Sequence, residues 1–115
     1  MRGMMILGVI AGLAAVPATA GERTGFASIR AGDLPSAERM LVAERRIYPN
    51  RPELMLNLAA VYQQTGRSMA AASLYRDVLA RPAVTMDMPN GAVRSSHQVA
   101  DQALVNLAPT AIATR

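Results

Sequence analysis

The feature that most constrains this chain is a recurrence at a fixed offset of 34 residues. Gly32 recurs as Gly66, Ala37 as Ala71, Leu41 as Tyr75, and Gly25 as Ala59. A period of that length fits one helical hairpin per unit. A lone hairpin cannot bury its own apolar face, so such units must stack. A chain built this way presents a surface rather than running a reaction.

Apolar spacing and punctuation predict five helices. The first covers about Glu22 to Ala31, with Phe26, Ala27 and Ile29 as its apolar residues. Gly32 suits a left-handed exit and Asp33 an N-cap. The second helix runs from Leu34 to Ile47 with Pro35 in its first turn, where a missing N–H costs nothing. Its stripe is Leu34, Ala37, Met40, Leu41 and Glu44. Glu38, Arg39, Arg45 and Arg46 lie on the opposite face. Tyr48-Pro49-Asn50 breaks it. Asn50 is expected to cap the third helix, Arg51 to Thr65, with Glu53 at capping-box spacing. Gly66 ends that helix. Ser68 is expected to cap the fourth, Met69 to Arg81, whose stripe is Ala71, Leu74, Tyr75, Val78 and Leu79. Pro82, Pro89 and Asn90-Gly91 mark residues 82–94 as a loop. Ser95 and Gln98 form a second capping box, opening a fifth helix over Ser96 to Ala108. Pro109 is expected to close it, leaving 109–115 as a flexible tail.

The first 20 residues have the layout of a secretory signal. Met1-Arg2 is a basic start, Met4 to Val16 is an apolar run, and Ala18-x-Ala20 has the small-residue pattern of a cleavage site. A run of 13 residues is short for a membrane span, which needs about 20. The expectation is cleavage after Ala20 and export, into the periplasm of a Gram-negative cell or otherwise outside the cell, with no membrane anchoring afterwards. The chain has no cysteine, so no lipid can be attached to one and no disulfide holds the fold. Stability must come from packing, and a domain of 95 residues leaves little in reserve.

The third and fourth helices carry Met55-x-x-Leu58-Ala59-x-x-Tyr62, then Gly66, then Ala71-x-x-x-Tyr75, then Pro82. This resembles the tetratricopeptide repeat, whose pattern is aromatic, Leu-Gly, Tyr, Ala, aromatic, Pro. The resemblance covers 52–85 as a full repeat and 22–51 as a partial one, where Gly25, Gly32, Ala37, Leu41 and Pro49 fall on the pattern and Ser28 replaces the tyrosine. Met55 stands where an aromatic is usual, and Pro82 comes one residue early. Leu104-Val105-Asn106-Leu107-Ala108 echoes residues 55–59, but at an offset of 49, so 95–108 is read as a capping helix. The implied fold class is all-α, a fragment of an α-solenoid made of antiparallel helix-turn-helix repeats.

The resemblance also implies where a ligand would lie, on the face lined by the first helix of each hairpin. Here that face is Phe26, Ile29 and Arg30, then Glu53, Leu56, Ala60, Gln63 and Gln64. Leu56 and Ala60 replace the lysines and asparagines of carboxylate-binding members, so an extended or helical peptide is the expected ligand. The competing reading packs Leu56 and Ile29 against the capping helix or a second copy of the chain.

Catalytic chemistry has little to draw on. There is no cysteine, no lysine and one histidine, and neither a Ser/His/Asp set nor a phosphate loop can be placed. His97, four residues before Asp101, reads as a capping-region side chain. Met86-x-Met88 with His97 could be imagined as a cuprous site, but Met also fills gaps in packing. The chain is therefore read as a non-enzyme without cofactor or metal. All twelve basic residues are arginine, against eight acids, with one Phe and three Tyr. So few aromatics argue against nucleic acid. Arg39, Arg45 and Arg46 read as a solvated face, or as a contact for an acidic peptide. The expected function is a protein- or peptide-binding scaffold whose partner is unidentified. The alternative is a structural protein that self-associates.

Overall fold

A computed structural model describes residues 26–88 and 90–113, with side chains given for 27–88 and 90–108. The segment expected to be a signal, residues 22–25 expected to open the first helix, Pro89 and the last two positions lie outside these residues. Among the described residues, five helices and one two-stranded hairpin follow in order: α1 (Phe26–Arg30), α2 (Leu34–Ile47), α3 (Pro52–Gln64), α4 (Ser68–Leu79), β1 (Thr85–Asp87), β2 (Val93–Ser95) and α5 (Ser96–Ala113). Each helix packs on the next in sequence, and α5 also reaches α3 and β2.

The two glycine turns are built alike. Gly32 sits at φ 81° and Gly66 at φ 83°. After α1, the amide of Asp33 donates to the Ser28 carbonyl (2.8 Å) and that of Gly32 to Ile29 (3.0 Å). After α3, Arg67 donates to Tyr62 (2.8 Å) and Gly66 to Gln63 (3.4 Å). Both are Schellman motifs, in which a left-handed residue lets two amides satisfy the last carbonyls. A methyl group added at Gly66 would meet no atom within 4 Å, so only backbone strain opposes it. Gly66→Ala should cost about 1–2 kcal/mol, read as a lower melting temperature. An unchanged melt would mean the turn is not left-handed.

Helix starts follow the expected chemistry in two cases and depart from it in two. Asp33 caps α2, its Oδ1 accepting from the Ser36 amide at 3.2 Å. The Ser95–Gln98 box opens α5, with Gln98 N–H to Ser95 Oγ at 3.0 Å and Ser95 N–H to Gln98 Oε1 at 2.8 Å. By contrast, Asn50 does not cap α3. Arg51 is the N-cap and makes no side-chain capping bond. Asn50 Oδ1 instead accepts from Nε and Nη2 of Arg81, both at 3.1 Å. An arginine fork from the end of α4 outcompetes a local amide, because charge-assisted bonds are stronger. Ser68 is likewise the first residue of α4 rather than its cap, a place taken by Arg67 without a side-chain capping bond.

Burial explains the helical order. Residues 54–61 of α3 are all buried, giving a helix without a polar face in its centre. Such a helix must be surrounded, and α2, α4 and α5 all pack against it. On α4 the buried set is Ala71, Leu74, Tyr75 and Val78, the i, i+3, i+4, i+7 stripe of an amphipathic helix. On α2 only Ala37 and Leu41 are buried. Ala37 and Ala71 are both wholly enclosed, so in a close-packed interior a longer side chain at either must push its neighbours aside. Ala71→Leu should cost about 1–3 kcal/mol by overpacking. A melting curve like that of the wild type would show that the neighbouring helices do not approach closely there.

The segment read as a loop contains structure. β1 and β2 pair antiparallel, with Thr85 opposite Ser95, Met86 opposite Arg94 and Asp87 opposite Val93. The fold is thus mostly helical rather than all-α. The turn is closed by Met88 N–H to Ala92 O (2.8 Å) and Gly91 N–H to Met88 O (2.9 Å), with Gly91 at φ 89°. Buried Ser96 fastens the base: its amide donates to the Val84 carbonyl (2.8 Å) and its Oγ accepts from the Val84 amide (3.0 Å). Met86 and Met88 are two residues apart and both buried, with exposed Asp87 between them. The strand alternation turns both thioethers into the core.

The last helix also runs further than its punctuation suggests. Pro109 does not close α5, which continues to Ala113. A proline inside a helix forfeits the bond to the carbonyl four residues back. That carbonyl belongs to Val105, an exposed residue, so water can take the place of the lost donor.

Candidate functional site

The face implied by the family resemblance is largely closed. Ile29 and Leu56 are fully buried and Ala60 is 1% exposed. A side chain that water cannot touch offers no contact to a peptide, so these three are core residues in this structure. Gln63 is engaged inside the protein, its Oε1 accepting from the Tyr75 hydroxyl at 2.9 Å. Burial raises the pKa of that phenol well above its ordinary value, since a phenolate would lose its hydration there. Gln64 and Glu53 are half-buried, and the Gln64 Nε2 is enclosed without an acceptor among the described residues. Arg30 is exposed. The side chain of Phe26 lies outside the described part. The eight residues therefore do not assemble into one open surface.

The other singled-out groups also have structural work. His97 Nε2 lies 2.6 Å from the Arg81 carbonyl oxygen. The ring can only donate to a carbonyl, so Nε2 carries the proton and ties the start of α5 to the end of α4. Asp101, four residues on, is exposed and makes no bond to it. Met86 and Met88 belong to the hydrophobic core. Among the described residues, no group of three or more His, Cys, Asp or Glu side chains could hold a metal ion.

The polar surface is organised around Arg67, which sequence reading missed. Its guanidinium grips Glu38 with both arms, Nη2 to Oε1 at 2.6 Å and Nη1 to Oε2 at 3.0 Å. It also lies over the Tyr62 ring, 4.5 Å from the centroid, and donates to Thr65 Oγ1 at 3.1 and 2.9 Å. A residue of the second glycine turn thereby clasps the middle of α2. The only signal in sequence was opposite charge 29 residues apart, which no local rule connects.

Hydrogen bonding from Arg67 holds the Glu38 carboxyl below its ordinary pKa. The side-chain and backbone bonds to Ser36 do the same for Asp33. A depressed folded-state pKa adds stability that is fully present above the unfolded value and is lost as pH falls through the folded one. Acid should therefore lower the melting temperature below the usual carboxylate range, and less steeply in Glu38→Gln. Arg67 is exposed (44%) and Glu38 partly so (29%), so solvent screening keeps the effect small and salt-sensitive. Parallel pH profiles for the two proteins would refute a stabilising role for the clasp.

A shallow groove runs along the outer side of α2, lined by Pro35, Glu38, Arg39, Val42, Ala43 and Arg46. A second lies at the foot of α3 and α4, between Asn50, Pro52, Ala80, Arg81, Pro82 and Val84. The Arg81–Asn50 clamp already occupies the polar groups of the latter. Among the described residues, no helix is long and apolar enough to cross a membrane.

Comparison with known proteins adds nothing to these features: no family model, no curated protein and no solved structure matches the chain.

Proposed function

We propose that this chain is a non-enzymatic binding module of the tetratricopeptide-like kind, exported from the cytoplasm, that holds a protein or peptide partner. One observation carries this reading. The chain makes the same Schellman turn at Gly32 and at Gly66, and in the helix after each turn an enclosed alanine (Ala37, Ala71) is followed by a large buried residue (Leu41, Tyr75). That is what a duplicated hairpin unit requires. The partner surface differs from the family's usual one, since Leu56 and Ala60 are buried, and must be sought among exposed residues. Immobilised protein should capture a specific partner from the exported fraction, and a folded protein that captures nothing above a blank matrix would contradict the reading.

Self-association is the second reading. It draws on large apolar side chains left exposed, Met69 at 86% and Val105 at 63%. Ile29, Leu56 and Ala60 need no second copy to become buried, so any such contact would use these other positions. Sedimentation separates the two readings: a monomer at high concentration supports the binding module, and a concentration-dependent dimer supports self-association.

A further inference from the structure

The groove on the outer side of α2 has a charge pattern that selects a ligand. Arg39 and Arg46 are exposed and have no carboxylate bonded to them among the described residues; Arg39 donates only to Ser36 Oγ, at 3.1 Å. They stand seven residues apart on one helix, so their Cα atoms are about 10.5 Å apart along the axis. Between them lie Val42 and Ala43, an apolar floor. The carboxylates nearby are engaged within the chain: Glu38 by the two-armed bond from Arg67, and Asp33 by the Ser36 amide, although Asp33 also lies close enough to feel the charge of Arg39 without a bond to it.

We infer that this groove binds an acidic segment of a partner polypeptide, lying along α2 in the polyproline II conformation with carboxylates three residues apart on Arg39 and Arg46 and an intervening apolar side chain beside Val42 and Ala43. The inference rests on the binding-module reading and names the partner's chemistry. The spacing matches, because three residues of polyproline II make one full turn, which returns the side chain to the same side about 9 Å further on. Arginine also suits the role, since its fork can take a carboxylate with two bonds. An anionic lipid surface fits less well. Glu38 stands in the wall of the groove, where it repels a uniform sheet of negative charge but can be straddled by two spaced carboxylates.

The test is fluorescence anisotropy on the full chain. The probe is a labelled peptide of sequence Gly-Glu-Leu-Ala-Glu-Gly, beside a counterpart in which both Glu are Gln. The acidic peptide should bind saturably, and the Gln peptide at least about tenfold more weakly. Arg39→Glu with Arg46→Glu should weaken the acidic peptide by at least about tenfold, while Arg76→Gln, on exposed α4 surface, should not. Circular dichroism confirms folding, and Arg39→Gln with Arg46→Gln replaces the double variant if that one is unfolded. Equal binding of the two peptides, no saturable binding, or binding only to phosphatidylglycerol vesicles would overturn the proposal. Capture of the same exported partner by wild type and double variant would also overturn it while leaving the binding-module reading intact. Failure of wild type to capture any partner would instead strike that reading itself.

Discussion

Leu56→Asp is expected to unfold the chain. Leu56 is fully enclosed in α3, a helix whose residues 54–61 are all buried. A carboxylate there must either ionise without water or take up a proton, and neither form has a partner among aliphatic neighbours. The cost is at least about 4 kcal/mol. A domain of this size holds about 5–15 kcal/mol in total, and this one has no disulfide in reserve. Circular dichroism should show a collapsed helical signal or a melt displaced far downward. A protein that melts normally with Leu56→Asp would mean that this face is open after all, and would restore it as a ligand surface.

Tyr75→Ala is the second large effect. The ring is 2% exposed and fills the interior beside α3, with its hydroxyl on Gln63. Removing it leaves a cavity that rigid helices cannot close, at a cost of about 3–5 kcal/mol. Tyr75→Phe keeps the ring and removes only the hydrogen bond, at about 1 kcal/mol. The melting temperatures should therefore fall in the order wild type, Phe, Ala, with the larger step second. A larger first step would make the hydroxyl, not the packing, the main contribution of this residue.

The residues that made the helices legible act locally. Gly32 and Gly66 mark left-handed exits, Asp33 and Ser95 bond to amides three residues ahead, and the Ala71–Val78 stripe needs only helical spacing. The misreadings share a different cause. Asn50 was a sound cap by its neighbours, but Arg81, 31 residues away, holds its oxygen instead. The hairpin escaped because its strands are three residues each, too short for alternation to stand out. Yet Asn90-Gly91 between Met86 and Val93 was a hairpin signal of the ordinary kind. Pro109 reads as a stop because the solvation of the freed carbonyl is not visible in sequence.

The site was less legible than the fold for a related reason. Family resemblance says which helix face turns inward in a long stack, but not whether a short stack leaves that face open. Leu56 and Ala60 look the same in sequence in either case. Arg67 shows the converse. Nothing near it in sequence marks it, yet it joins α2 to the second turn through Glu38, Tyr62 and Thr65. The groove beside that junction owes its charge pattern to this contact, because Arg67 occupies the carboxylate that would otherwise compete for the groove's arginines.

Native-state hydrogen exchange tests most directly the claim that the helices close around α3. If they do, amides 54–61 exchange only when the whole chain unfolds, and their protection equals the global stability from denaturant melts. The outer turns of α2, beside Arg39 and Arg46, should open at lower cost. Exchange of the α3 amides as fast as those outer turns would contradict the account.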